Sequence, residues 1–169
     1  MVPIERRKDD TVMDTQAILD ALNDACPDHT FDAQAIPIDE TVIEVPVICL
    51  KRVVACLGSG FSISHLSTIT GQDTGTELEL LYHFWSKGGL TLRVVLPYDD
   101  ARIDSLTAVI PGADFYEREL AEMLGVRLEG HPRSGLTEAE GFEHFLLPED
   151  WRPGRPPLRK KQPPKENES

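Results

Sequence analysis

Two apolar, alternating segments joined by a short glycine turn constrain the fold of this chain more than any other sequence feature. Residues 77–85 (ELELLYHFW) and 90–96 (LTLRVVL) both have strand periodicity, and Lys87-Gly88-Gly89 between them has hairpin chemistry. A shorter β-branched run at 41–45 (TVIEV) predicts another strand. The sequence therefore predicts a sheet that contains an antiparallel hairpin.

Apolar residues at helical spacing predict two helices in the N-terminal half of the chain. The first lies near 14–25, where Asp14 can cap the first turn, and the second lies near 47–57. Residues 60–70 mix apolar and hydroxyl side chains and could form a strand that leads into a polar loop at 71–76.

A third helix is predicted near 115–124. Asp114 is placed to cap it, Glu117 follows at capping-box spacing, and Gly125 can supply the left-handed stop. The order of helix, strand, helix and further strands argues for a two-layer α+β domain with a mixed sheet and packed helices. The domain is expected to span 14–132, after a flexible lead at 1–13.

The last part of the sequence has a different composition from the rest. Six of the 13 prolines lie at or beyond Pro148, and five basic residues follow Arg152. Such a segment cannot build a core, so residues 133–169 are expected to form an extended proline-rich arm with a basic tail.

The overall charge and hydropathy exclude several classes of protein. The chain of 169 residues carries a net charge of −12, and nucleic acid repels such a surface. No apolar run is long enough to span a membrane, and the N-terminus lacks the apolar core of a secretory signal. We expect a cytosolic protein, or one attached to a membrane only through its partners.

Candidate sites for chemistry are few. The chain has an odd number of cysteines, namely Cys26, Cys49 and Cys56, and no two of them form a CxxC motif. We therefore expect all three to be small apolar core residues and not metal ligands. The sequence has no GxSxG elbow and no phosphate-binding glycine loop. These observations favour an interaction protein, and they predict no catalytic residue, no bound cofactor and no metal.

Two charged groups keep alternative interpretations open. Residues 117–119 (ERE) could lie on a capped helix exposed to solvent or on a helix surface that contacts a partner protein. His131 could be a turn residue that hydrogen-bonds to nearby backbone, or it could have a catalytic or metal-binding role. An acid–base pair such as Glu119 and His131 would make the protein a soluble enzyme. A free-standing acidic adaptor is a third interpretation.

Several segments resemble, in order, the motifs of one known family. They are 65–73 (HLSTITGQD), 81–84 (LYHF), 111–119 (PGADFYERE), 125–132 (GVRLEGHP), 146–151 (LLPEDW) and 157–160 (PLRK). These segments resemble the 30-kDa, or C-type, subunit of NADH-quinone oxidoreductase (respiratory complex I). The family includes the equivalent subunits of group 4 membrane-bound NiFe hydrogenases and F420H2 dehydrogenases. The positions matching its signature or interface motifs are Tyr116, Glu117, Arg118, Glu119, Gly125, Gly130, His131, Pro132, Pro148, Glu149, Asp150, Trp151, Pro157, Leu158, Arg159 and Lys160.

The resemblance implies a non-redox structural subunit in the peripheral arm of a membrane-anchored complex, on the cytoplasmic side. The implied partners are the hydrogenase-like large subunit of the 49-kDa type and the small subunit that carries a 4Fe–4S cluster, with membrane subunits contacted indirectly. Iron–sulfur clusters, and in some relatives NiFe or flavin groups, belong to those partners.

The chain departs from the family pattern at three places. Ile110 and Phe115 stand where the respiratory branch often has tryptophan, residues 133–145 are longer than usual, and the tail reads Arg159-Lys160-Lys161. These departures leave open the same scaffold role in a group 4 NiFe hydrogenase or another anaerobic complex.

Overall fold

The computed structural model describes residues 13–36 and 40–132, which contain three helices and seven strands. The helices are α1 (Thr15–Ala25), α2 (Leu50–Phe61) and α3 (Ala113–Leu124), with short 3₁₀ turns at Val47–Cys49 and Tyr98–Asp100. The strands are β1 (Ala33–Ile36), β2 (Glu40–Glu44), β3 (Leu66–Asp73), β4 (Glu77–Trp85), β5 (Gly89–Pro97), β6 (Arg102–Asp104) and β7 (Arg127–Glu129). None of these three helices is long and apolar enough to cross a bilayer.

Five strands form one mixed sheet in the order β1-β2-β5-β4-β3. The β2–β5 pair is parallel and the other pairs are antiparallel, while β6 and β7 form a separate parallel pair. The predicted hairpin is confirmed, with Trp85 opposite Gly89 and the amide of Ser86 donating to the carbonyl of Gly88 at 3.1 Å. The predicted two-layer α+β class is confirmed as well.

The core lies between one face of this sheet and the helices. Side chains of β4 and β5 alternate, so that Leu78, Leu80, Tyr82 and Phe84 are buried together with Leu90, Leu92, Val94 and Leu96. Helix α1 contributes Ile18 and Leu22, and α2 contributes Leu50, Val53, Val54 and Leu57. Cys26 and Cys49 are buried in this core and Cys56 is half-buried, all three as free thiols, as expected for small apolar residues.

The ends of the first two helices and of β3 differ partly from the prediction. Asp14 caps α1 as predicted, because its carboxylate accepts a hydrogen bond from the amide of Ala17 at 3.1 Å. Helix α2 runs on to Phe61 and ends at Ser62, which has a left-handed φ of 57°. Strand β3 reaches Asp73, inside the predicted polar loop, because residues 71–73 pair with 78–80 of β4.

Helix α3 starts without the predicted cap. Its N-cap residue is Gly112, with no side-chain hydrogen bond, and Asp114 lies inside the first turn. The capping-box interpretation is wrong because the two acids have better partners. Asp114 binds Arg118 one turn later, and Glu117 binds the loop at 105–106. The predicted stop is confirmed, since Gly125 ends the helix with a φ of 73°.

Helix α3 packs very closely on β3 at Gly71. A Cβ atom at this position would lie 2.2 Å from Leu124 Cδ1 and 2.6 Å from Leu120 Cδ2. Both distances are shorter than real carbon contacts, so glycine is what permits α3 to approach the sheet.

Gly71→Ala is therefore expected to lower the free energy of unfolding by about 1–3 kcal/mol, the usual range for an overpacked core site. Chemical denaturation of the full chain followed by circular dichroism measures this. Gly58→Ala is the matched control, because no atom lies within 4 Å of a Cβ there and the position is inside α2. The control should raise the stability by about 0.5–1 kcal/mol. Equal effects of the two substitutions would contradict the close approach.

Candidate functional site

The carboxylate of Glu117 is the most deeply buried charged group of the signature segment. Its residue is 0% exposed, and α3 aims it at the loop that follows β6. Oε2 accepts a hydrogen bond from Ser105 Oγ and Oε1 accepts one from the amide of Leu106, both at 2.6 Å. Glu117 therefore ties α3 to this loop from inside the protein.

The environment of Glu117 acts on its ionisation in two directions. Burial raises the pKa of the Glu117 carboxyl above its usual range. The hydrogen bonds from Ser105 and Leu106 and the charge of a protonated His131 oppose that shift. These donors are what a buried carboxylate needs, because an uncompensated one would cost several kcal/mol.

His131 lies next to the same carboxylate. The preceding Gly130 has a φ of 72°, and this turn brings the imidazole onto the start of α3. Its Nε2 atom lies 3.7 Å from Glu117 Oε2 and 3.6 Å from Asp114 Oδ1, and the side chain is only 2% exposed. His131 thus joins the last described turn of the chain to the signature helix.

Asp114 and Arg118 form an ion pair on the rim of this cluster. Arg118 donates to Asp114 Oδ2 from Nη2 at 2.8 Å and from Nε at 3.1 Å. Its guanidinium carbon also lies 6.0 Å from the ring centroid of Phe115, which is 41% exposed. Of the two interpretations left open for residues 117–119, the solvated, capped helix is wrong for Glu117 and Arg118, since both are buried and paired.

Two tyrosines near α3 differ in their hydrogen bonding. Tyr116 donates its hydroxyl proton to the carbonyl of Ser67 at 3.0 Å and so fastens α3 to β3. Tyr82 on β4 is fully buried, and its hydroxyl has no hydrogen-bond partner within the described ranges. Burial, together with the nearby charge of Glu117, raises the pKa of Tyr82.

The structure brings together some of the predicted site residues and separates others. Glu117, Arg118 and His131 belong to one buried cluster with Asp114 and Ser105. Glu119 is half-buried on α3, about 200° around the helix axis from Glu117. The proposed acid–base pair of Glu119 and His131 is therefore not formed, since the carboxylates near Nε2 belong to Asp114 and Glu117.

The remaining predicted site residues either shape the backbone near α3 or lie outside the described residues. Gly125 and Gly130 adopt left-handed conformations, and Pro132 is the last described residue. The arm residues lie outside the described residues: Pro148, Glu149, Asp150, Trp151, Pro157, Leu158, Arg159 and Lys160. Sequence reasoning missed Ser105 and the amide of Leu106, and no local pattern marks them as partners of Glu117.

The cluster holds segments together and offers little opportunity for reaction. Each charged group at its centre is buried and engaged by a neighbour, which leaves no exposed nucleophile between them. Among residues 13–36 and 40–132, no group of three or more His, Cys, Asp or Glu side chains is placed to hold a metal ion.

We expect Glu117→Ala to lower the free energy of unfolding by about 3 kcal/mol, because it leaves the buried Leu106 amide without an acceptor and the Ser105 hydroxyl with only Thr107 Oγ1, at 2.7 Å. Glu117→Gln retains one acceptor and should cost about 1–2 kcal/mol. Urea denaturation measures both. The control Glu119→Ala on the same helix should cost at most about 1 kcal/mol. A Glu117→Ala effect no larger than the control would show that the buried hydrogen bonds contribute little.

The two tyrosines give a second pair of variants. Tyr82→Phe removes a buried hydroxyl without a described partner, so stability should stay unchanged or rise by up to about 1 kcal/mol. Tyr116→Phe removes the hydrogen bond to Ser67 and should lower stability by about 0.5–1.5 kcal/mol. Thermal unfolding of the two proteins distinguishes these effects, and a loss of more than about 1 kcal/mol in Tyr82→Phe would contradict the assignment.

Comparison with known sequences identifies the family. Residues 43–168 match the family described as respiratory-chain NADH dehydrogenase, 30 Kd subunit. The chain is 38% identical over 87 residues to the C-type subunit of NADH-quinone oxidoreductase from Nocardioides sp., a match that covers 50% of this chain and 31% of that protein. A similar match covers 41% of the equivalent protein of Acidothermus cellulolyticus. The chain thus matches well under half of these relatives' length.

A longer match is found with an archaeal protein. The chain is 30% identical over 161 residues to the C-type subunit of F420H2 dehydrogenase from Methanosarcina mazei, which covers 88% of this chain and 91% of that protein.

Two solved structures share the fold. A trypsin-resistant fragment (1–134) of Nqo5 has a TM-score of 0.56 at 23% identity, covering 66% of this chain and 95% of that one.

The second solved structure is a chain of the membrane-bound sulfane sulfur reductase, an archaeal respiratory membrane complex. It has a TM-score of 0.64 at 19% identity and covers 81% of this chain and 79% of that chain. The match to the family over residues 43–168 covers well over half of the sequence and includes the buried α3 cluster. This chain belongs to the family of the 30-kDa subunit of NADH-quinone oxidoreductase.

Proposed function

We propose that this chain is a non-redox scaffold subunit in the peripheral arm of a membrane-anchored oxidoreductase of the complex I type. The observation that carries the proposal is the family match over residues 43–168, which includes the α3 signature and the arm motifs. In this role the protein orients neighbouring subunits for electron transfer coupled to ion translocation, and it contributes no catalytic residue.

The buried cluster around Glu117 supports such a role. Electron transfer between subunits depends on fixed separations, so a scaffold gains from internal ion pairs that resist deformation. Glu117 connects α3 to the loop at 105–106 and, through its contact with His131, to the turn at 130–131. The same segments therefore keep a defined shape wherever a partner contacts the outer side of α3.

The proposed partners are the hydrogenase-like large subunit and the 4Fe–4S small subunit. Membrane subunits are reached through these two, and the complex lies on the cytoplasmic side of the membrane. In this proposal iron–sulfur clusters belong to the partners, and this chain binds none. The arm at 133–169 combines Trp151 with several arginines, which are the residue types that dominate interface hot spots.

One observation favours a parent complex other than an NADH-linked one. The match to the archaeal F420H2 dehydrogenase protein covers 91% of its length, whereas the NADH-linked relatives above are matched over 31% and 41% of theirs. The second candidate function is therefore the same scaffold role in a complex with a different electron donor, such as F420H2, or in a group 4 NiFe hydrogenase.

The soluble-enzyme interpretation has little support from the geometry. It requires Glu119 and His131 in one accessible pocket, whereas the His131 side chain is 2% exposed and lies against the carboxylates of Asp114 and Glu117. A free-standing adaptor has no comparable obstacle in the structure. Co-purification with iron–sulfur subunits separates the adaptor from the scaffold.

Removal of the arm tests the scaffold role. Deleting residues 146–169 should leave the α+β core folded but abolish assembly, because the segment carries the aromatic and basic anchors. Trp151→Ala in the full chain should weaken assembly by a few kcal/mol. Affinity purification of the tagged chain, with quantification of co-purified subunits, measures both effects.

Lys165→Ala, outside the family motifs, is the control for the arm and should assemble like the unmodified chain. Circular dichroism of the truncated protein checks that its core is intact. If the truncated chain assembles fully and the complex keeps its activity, the arm is dispensable and this part of the proposal fails.

A further inference from the structure

The face of the sheet opposite the helices is covered by no described element. We call it the open face, and it consists of alternate residues of the five strands. They are Gln34 and Ile36; Glu40, Val42 and Glu44; Thr68, Thr70 and Gln72; Glu77, Glu79, Leu81, His83 and Trp85; and Gly89, Thr91, Arg93 and Val95. Four glutamates stand against one arginine on this face, so it is acidic.

One end of the open face carries three neighbouring residues, Trp85, Gly89 and Glu40, which we call the slot. Trp85 and Glu40 lie on either side of Gly89 in the strand register, which separates their Cα atoms by about 10 Å. Gly89 contributes no side chain, and the Glu40 side chain lies over it, because a Cβ at Gly89 would meet Glu40 Cγ at 3.2 Å and Glu40 Cβ at 3.4 Å. Trp85 is 61% exposed, an unusual position for a tryptophan. The slot therefore combines an exposed aromatic side chain with a carboxylate side chain on neighbouring strands of the acidic face.

The carboxylate in the slot has polar neighbours but no lysine or arginine partner among the described residues. Glu40 Oε1 accepts a hydrogen bond from Thr91 Oγ1 at 2.5 Å, and His83 Nδ1 lies 3.8 Å away. Within the described ranges no lysine or arginine nitrogen lies within 4 Å of it. The arginine of this face, Arg93, is already bound between Glu44 and Glu79. Glu40 is thus a half-buried carboxylate that no described lysine or arginine neutralises.

We propose that this slot receives an arginine or lysine side chain from another subunit of the parent complex. The proposal rests on the scaffold function and names one surface through which it acts. The cation would pair with the Glu40 carboxylate and stack on the Trp85 ring, and both interactions strengthen when a partner excludes water. A second copy of this chain is a poor occupant, because two acidic faces repel each other.

The experiment places a photo-cross-linker in the slot of the full chain. Trp85 is replaced with p-benzoylphenylalanine, which keeps an aromatic ring, and the tagged chain is purified with its complex and irradiated. Mass spectrometry should find cross-links to a segment of another subunit that contains an arginine or lysine. Adding Glu40→Gln should lower the cross-link yield several-fold. Glu44→Gln on the same strand should not, because Glu44 is 68% exposed and already paired with Arg93.

Each other outcome overturns the proposal. Cross-links to residues 133–169 of the same chain would assign the slot to its own basic tail, and cross-links to a second copy would assign it to a homodimer. The same cross-linker at Ile48, which is 72% exposed and lies outside the open face, gives the background yield of cross-links. A yield at position 85 no higher than this background would show that no partner occupies the slot. If the other subunits are recovered without a cross-link, the slot proposal alone is overturned. If the unsubstituted tagged chain fails to recover them, the scaffold function is overturned too.

Discussion

The buried carboxylate of Glu117 is the interaction on which the arrangement of the second half of the domain depends. It accepts hydrogen bonds from Ser105 and Leu106, and His131 lies 3.7 Å away, so one side chain meets three separate residues from two other segments. An ionised carboxylate enters a protein interior only when donors replace its water. The loop after β6 and the turn before Pro132 are therefore positioned around α3 by the requirement to satisfy this charge.

The second constraint is the one-sided packing of the sheet. Helices α1, α2 and α3 cover the apolar face, and Gly71 lets α3 come close to β3. The opposite face carries ion pairs such as Glu44 with Arg93, together with the exposed Trp85. In the proposed scaffold role, the surfaces that would meet neighbouring subunits are the outer side of α3 and the open face.

Local patterns in the sequence predicted much of this fold. The hairpin of β4 and β5, the Asp14 cap and the Gly125 stop each depend on residues that are neighbours in sequence, and the structure confirms them. Strands β1, β6 and β7 contain only three or four residues each, too few for a period to be recognised. They form because longer elements place partners beside them.

The candidate site was less predictable, for a physical reason. The spacing of Asp114 and Glu117 matches a capping box, but a cap is only one way in which a carboxylate can find donors. Glu117 accepts hydrogen bonds from Ser105 and Leu106, which lie 12 and 11 residues earlier in the sequence, and Asp114 pairs with Arg118. The tertiary fold determines which donor each carboxylate binds. The family resemblance marked Glu117 and His131, yet it did not show that the two lie together.

Native mass spectrometry of the complex released gently from its membrane tests the central claim most directly. The scaffold account predicts a subcomplex with one copy each of this chain, the hydrogenase-like large subunit and the 4Fe–4S small subunit, with all iron assigned to the partners. Finding the complex fully assembled without this chain, or this chain only alone or as a homo-oligomer, would contradict the account.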